Sequence, residues 1–150
     1  MVSKIYTGCY DVCKAGNLIS ISGDRGKMVG FNGKALPKLA PKREFWRVWH
    51  SNIGKIPEEE NTRYYIEEYY KQVLQKLDLE DLLSGEQEPI LLCYESSKEF
   101  CHRHIVAEYI EFKYGIFVPE IAIDCNSQII IKERPKNIRQ ILLCTFGDVP

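Results

Sequence analysis

Cys101-His102-Arg103-His104 follows soon after a strand-like run that ends in Cys93-Tyr94-Glu95. Thiol, imidazole, guanidinium and carboxylate in one short segment are the groups that carry nucleophilic, acid–base and anion-binding chemistry. Ser96 and Glu99 have capping-box spacing, so a helix is expected to open there and run to Tyr114. A thiol in the first turns of such a helix feels the positive end of its macrodipole, and a neighbouring imidazolium or guanidinium would lower its pKa further. The same helix end, with free N–H groups and an arginine, suits an anion. Cys101 is therefore the candidate nucleophile or redox thiol, and Arg103 the anion clamp. His102 or His104 is the proton carrier, and Glu95 the base or the partner of Arg103. Cys93, set inside an apolar run, reads as a core thiol.

A structural reading stands beside this one. Cys101 could pack as a small hydrophobe, His102 could satisfy a backbone group, and Arg103 could pair with Glu95 or Glu99 to lock helix to strand. Cys93, Cys101, His102 and His104 could also offer metal ligands. Their spacing matches no standard zinc pattern, so no metal is expected. No motif calls for a cofactor.

These residues need elements to position them. Lys4 to Tyr10 and Leu18 to Ser22 read as two strands, and Pro89 to Tyr94 as a third whose unbroken apolar run suits burial on both faces. Arg25 to Lys34, interrupted by Gly26, Gly30 and Gly33, reads as a loop, followed by a helical turn over Ala35 to Leu39. Tyr65, Ile66, Tyr69, Val73, Leu74 and Leu77 form an apolar stripe on a helix expected over about Asn61 to Leu77, with a short helix at Asp78 to Leu83. Ile116 to Val118, Ile121 to Ile123, Gln128 to Lys132 and Gln140 to Phe146 are further strand candidates. Strands separated by helices point to an α/β class: one layered domain over residues 1–150, mainly parallel, with the C-terminal strands antiparallel.

In open α/β sheets ligands collect beyond the carboxyl ends of the strands. Tyr10 ends the first strand, Arg25 and Lys27 follow the second, and Glu95 follows the third. These residues and His104 complete a candidate ligand-binding set with Arg103. Phe45, Trp46 and Trp49 lie among lysines and arginines, a mixture that can hold single-stranded nucleic acid. Their spacing also suits a helix packed on the sheet, and the tryptophans are read as core.

The formal charge of −1 conceals an uneven distribution. Arg25 to Lys55 carries eight Lys or Arg against Glu44 alone, whereas Glu58 to Glu88 carries ten acids against three bases. Such a dipolar surface steers an anionic ligand toward one side. Met1 to Ile5 lacks the apolar run of a signal peptide, and no window reaches the roughly 18 apolar residues of a membrane span. A cytoplasmic protein with reduced cysteines and no membrane partner is expected.

Leu91-Leu92-Cys93-Tyr94-Glu95, followed by Phe100-Cys101-His102-Arg103, resembles the bacterial and archaeal family called domain of unknown function 488. That family has a strand ending in Leu-Leu-Cys-Tyr/Ala-Glu, a short connector and a helix opening with Cys-His-Arg. Ile5-Tyr6-Thr7-Gly8, Leu39-Ala40-Pro41, Phe45 to Trp49 and the Tyr64 to Leu77 helix extend the likeness over about residues 5–120. Asp24 and Arg25 stand side by side where many members have Asp-x-Arg. The resemblance implies a fold and the place of a site, without an established activity. The expected function is an anion site for a phosphate-bearing ligand, nucleotide or nucleic acid, worked by a thiol-dependent enzyme. A non-catalytic binding module is the alternative.

Overall fold

The computed structural model describes residues 4–146; Met1 to Ser3, part of the segment read against a signal peptide, lie outside the described residues. Six strands form one sheet: β1 (Tyr6–Cys13), β2 (Asn17–Ser20), β3 (Lys34–Ala35), β4 (Pro89–Cys93), β5 (Glu120–Ile123) and β6 (Ile129–Lys132). Their order is β3-β2-β4-β1-β5-β6. All pairings are parallel except β5 with β6. The fold is therefore α/β, with a mainly parallel sheet and an antiparallel C-terminal edge. The helices are α1 (Arg43–Asn52), α2 (Glu58–Gln72), α3 (Leu79–Leu82), α4 (His102–Tyr114) and α5 (Asn137–Phe146). No described helix is long and apolar enough to cross a membrane.

β4 is buried along its whole length because β1 and β2 flank it and both of its faces are covered. Successive strand residues face opposite ways. Leu91 belongs to the large cluster that gathers Ile5, Ile19 and Ile21 with the apolar residues of the five helices. Ile90 and Leu92 belong to a smaller cluster on the other face, with Tyr10, Cys13, Ile121 and Ile123.

The chain itself covers that second face. β1 and β2 run parallel yet are joined by residues 14–16 alone, far fewer than a crossover helix needs. The register of β1 against β5 shifts between Gly8 and Cys13, and the chain turns back over the sheet so that Cys13 sits on Gly8. A Cβ on Gly8 would lie 2.4 Å from Cys13 Sγ and 3.1 Å from the Ile121 carbonyl oxygen. Only glycine leaves room for this return.

Three sequence expectations need correction. Gln140 to Phe146, read as a strand, belongs to α5: Ile138, Ile141 and Leu142 are buried at helical spacing, and the Ile-Leu-Leu run imitates a strand. Ser96 and Glu99 make a turn, in which the Ser96 N–H donates to Glu99 Oε1 at 3.2 Å, and α4 begins later with Cys101 at its N-cap. Ile116 to Val118 stays outside the strands, because β5 starts beyond Pro119 at Glu120. All six cysteines are free thiols.

Candidate functional site

Beyond the carboxyl ends of β2 and β4 lies a cavity of about 630 Å³. Its buried end is lined by Cys93, Cys101 and His102, with half-buried Glu95 beside them. Trp46, Trp49, Tyr65 and Phe100 form an aromatic wall, while Ser22, Asp24, Arg25, Met28 and Tyr94 stand on the loop side. Arg43, in the first turn of α1, adds a second guanidinium.

The loop side is held by Asp24. Its carboxylate accepts from Tyr94 Oη (2.5 Å), the Gly26 N–H (2.8 Å), the Met28 N–H (3.1 Å) and Ser22 Oγ (3.1 Å). Burial would raise the Asp24 pKa, but these donors outweigh it and hold the carboxyl below its ordinary value. The same contact adds to burial in pushing the Tyr94 hydroxyl well up. This clamp fixes the turn in which Arg25 adopts the left-handed conformation, φ 61°.

The aromatic wall rests on α1 and α2. Trp49 meets Tyr65 edge-on at 5.2 Å between ring centroids and Phe100 at 5.8 Å, and Phe100 meets Tyr65 at 5.0 Å. Trp46 stacks on His50 and is 39% exposed. The tryptophans, read as core, therefore line the cavity, because α1 packs on α2 and turns this aromatic edge toward the opening.

At the buried end, Cys93 Sγ lies 3.6 Å from His102 Nδ1 and 3.6 Å from Glu95 Oε2. Cys101 Sγ lies 3.9 Å from the same Nδ1. His102 Nε2 donates to the Ile21 carbonyl oxygen at 2.7 Å, which turns Nδ1 toward the two sulfurs. Cys93, Cys101 and His102 offer ligand atoms all within 4.8 Å of one another. Cys93, taken for a core thiol, is buried and yet borders the cavity. Its strand position shows why: it shares with Leu91 the face that α4 packs against. The expectation of an activated Cys101 thiolate is reversed. Burial pushes the Cys101 thiol well above its ordinary value, the neighbouring Cys93 adds to this, and His102 offsets only part of it.

The other half of the segment turns away. Arg103 is fully buried, and its Nη2 and Nε reach the two Glu120 oxygens at 2.7 and 3.1 Å. Thr7 Oγ1 donates to Glu120 Oε1 at 2.7 Å. His104 is buried beside the same carboxylate, its Nδ1 3.8 Å from Glu120 Oε1. Burial, with Arg103 adding to it, pushes the His104 pKa down to about 4, so the ring is neutral. Arg103 therefore pairs with neither Glu95 nor Glu99, and it does not line the cavity. Tyr10 also lies behind the site, its hydroxyl 2.6 Å from Ser20 Oγ and 2.7 Å from Ser22 Oγ. Lys27 borders a smaller groove with Phe31, which Arg25 shares. Of the eight candidate site residues, the cavity gathers Glu95, Cys101, His102 and Arg25.

The family model described as the active DUF488-N3 subclade matches residues 20–113, a span that holds every residue lining this cavity. The chain belongs to the DUF488 family. The matched span includes Arg103 and ends short of its partner Glu120. No curated protein and no solved structure matches the chain.

Proposed function

We propose that this DUF488 protein binds a nucleotide, free or at the end of a single strand, in the cavity at the strand ends. The observation that carries the reading is the lining itself, which combines the aromatic rings of Trp46, Trp49 and Phe100 with two guanidiniums, Arg25 and Arg43. Flat aromatic surfaces accept a base by stacking, and guanidiniums grip phosphate through paired N–H donors. The volume falls in the range of small-molecule sites. The anion site expected around Arg103 is thus assigned to different arginines. As an enzyme the protein would use the buried end of the cavity. Asp24 is occupied by four donors, which leaves Glu95 as the carboxylate able to take a proton from bound ligand.

Tryptophan emission tests this directly. Titration with nucleoside 5′-monophosphates should change the fluorescence of Trp46 and Trp49, and a short single-stranded oligonucleotide tests the strand-end form. Arg43→Ala should weaken the monophosphates about tenfold, roughly one charge-assisted hydrogen bond, and leave the matching nucleosides unchanged. If none of the three ligand classes alters the emission, the reading fails.

A further inference from the structure

Cys93, Cys101 and His102 come from two elements with seven residues between the cysteines, a spacing outside the usual zinc patterns. The fold nonetheless brings their donor atoms together at the buried end of the cavity. In tetrahedral zinc sites, Zn–S of about 2.3 Å and Zn–N of about 2.0 Å place sulfur and nitrogen ligands about 3.5 Å apart. The two S···N separations of 3.6 and 3.9 Å lie close to that value. We propose that Cys93 Sγ, Cys101 Sγ and His102 Nδ1 bind a divalent transition-metal ion of the zinc class, with the fourth position open to the cavity.

Three observations carry this beyond a chance cluster. First, the Ile21 carbonyl accepts from His102 Nε2, so the proton sits there and Nδ1 is the ring nitrogen directed at the two sulfurs. A backbone carbonyl behind the ring is the usual support of a metal-bound histidine. Second, Cys93 Sγ and Cys101 Sγ approach this one ring nitrogen from two elements, at 3.6 and 3.9 Å, so a single ion can engage all three groups. Third, the open side of the triad is bordered by Glu95, 3.6 Å from Cys93 Sγ. Two sulfurs and one nitrogen with a free corner is the ligand pattern of reactive zinc sites; closed structural sites use four protein ligands. Binding converts both thiols to thiolates and releases two protons to solvent, and the ion overcomes the burial that otherwise keeps Cys101 protonated. A water or a ligand oxygen at the fourth corner would then be polarised beside Glu95.

Cobalt reports the site without any nucleotide, so its result is independent of the nucleotide reading. Protein stripped with a chelator and kept reduced is titrated with Co²⁺ and then with Zn²⁺. The expected result is one Co²⁺ per chain, with a thiolate-to-cobalt charge-transfer band and tetrahedral visible bands, both erased by Zn²⁺. Cys93→Ser and Cys101→Ser each lose the two-thiolate spectrum, while the Cys125→Ser/Cys144→Ser double variant keeps it. Should the single variants misfold, His102→Gln provides a second arm, since it keeps both thiolates and shifts the visible bands. Absence of a charge-transfer band in folded, reduced wild-type protein overturns the proposal. So does a band that survives in Cys93→Ser and Cys101→Ser but vanishes with the exposed cysteines.

Discussion

Neighbouring residues in one helical turn do unrelated work here. Each step along a helix rotates the side chain by about 100°, so Cys101 and His102 line the cavity while Arg103 and His104 are carried toward β1 and β5. Arg103 then acts as a buried anchor, and the charges exposed to a ligand are those of Arg25 and Arg43. Arg25 shows what the site demands of the backbone. Its φ of 61° would be relaxed in glycine, and for a side-chain-bearing residue this conformation costs about 1 kcal/mol. Arg25→Gly removes that strain but adds freedom to the unfolded chain, which offsets most of the gain. Its stability by urea unfolding should therefore stay within about 1 kcal/mol of wild type. Monophosphate binding, read by tryptophan emission, should weaken. A variant destabilised well beyond that margin would mean that Arg25 holds the loop rather than the ligand.

At the scale of elements, the return of the chain after Gly8 is the most demanding feature. Gly8→Ala drives a methyl group onto Cys13 Sγ and the Ile121 carbonyl, and overpacking of this kind costs about 1–3 kcal/mol. Adding Cys13→Ala removes the nearer obstacle and should restore more than half of the loss in thermal or urea unfolding; equal losses in the single and double variants would refute the packing argument. This return was not legible in the sequence. Lys4 to Tyr10 reads as a strand and overlaps β1, but nothing local shows that the following residues fold back, because the contact joins positions that only the sheet brings together. β4 was legible because its unbroken apolar run has one structural explanation, a central strand covered on both faces. α5 was not, since Ile141-Leu142-Leu143 fits either period and only the packing of Ile138, Ile141 and Leu142 beneath α4 decides it. Of the residues lining the cavity, Glu95, Cys101, His102 and Arg25 were singled out in the sequence by their chemistry and position. The partner of Arg103 was missed because Glu120 is 17 residues away, past a helix and Pro119.

For the whole molecule, the Arg103–Glu120 pair joins the helical layer to the sheet at its centre. Arg103 lies in the first turn of α4, Glu120 starts β5, and Thr7 on β1 completes the cluster. A second set of charges works farther out, where Arg134 and Arg139 both bind Glu108 and Glu111 and tie the C-terminal region to α4. The central pair sets how the fold responds to acid. Burial alone would raise the Glu120 pKa, but the hydrogen bonds and charge of Arg103 outweigh it, so the carboxyl is held below its ordinary 4.5. A carboxylate with a depressed folded pKa stabilises the fold fully above its unfolded value, and that stability drains away as pH falls through the folded one. At pH 7, Glu120→Gln keeps the shape but leaves Arg103 buried without a counter-charge, which should cost about 3–5 kcal/mol. Below the folded pKa the wild-type side chain is itself neutral and resembles glutamine. The stability gap between wild type and Glu120→Gln, measured by urea unfolding from neutral pH to about pH 3, should therefore stay constant above 4.5 and narrow below it. A gap that held its neutral-pH size throughout would mean that Glu120 keeps the fold by shape, and that its charge does not join helix to sheet.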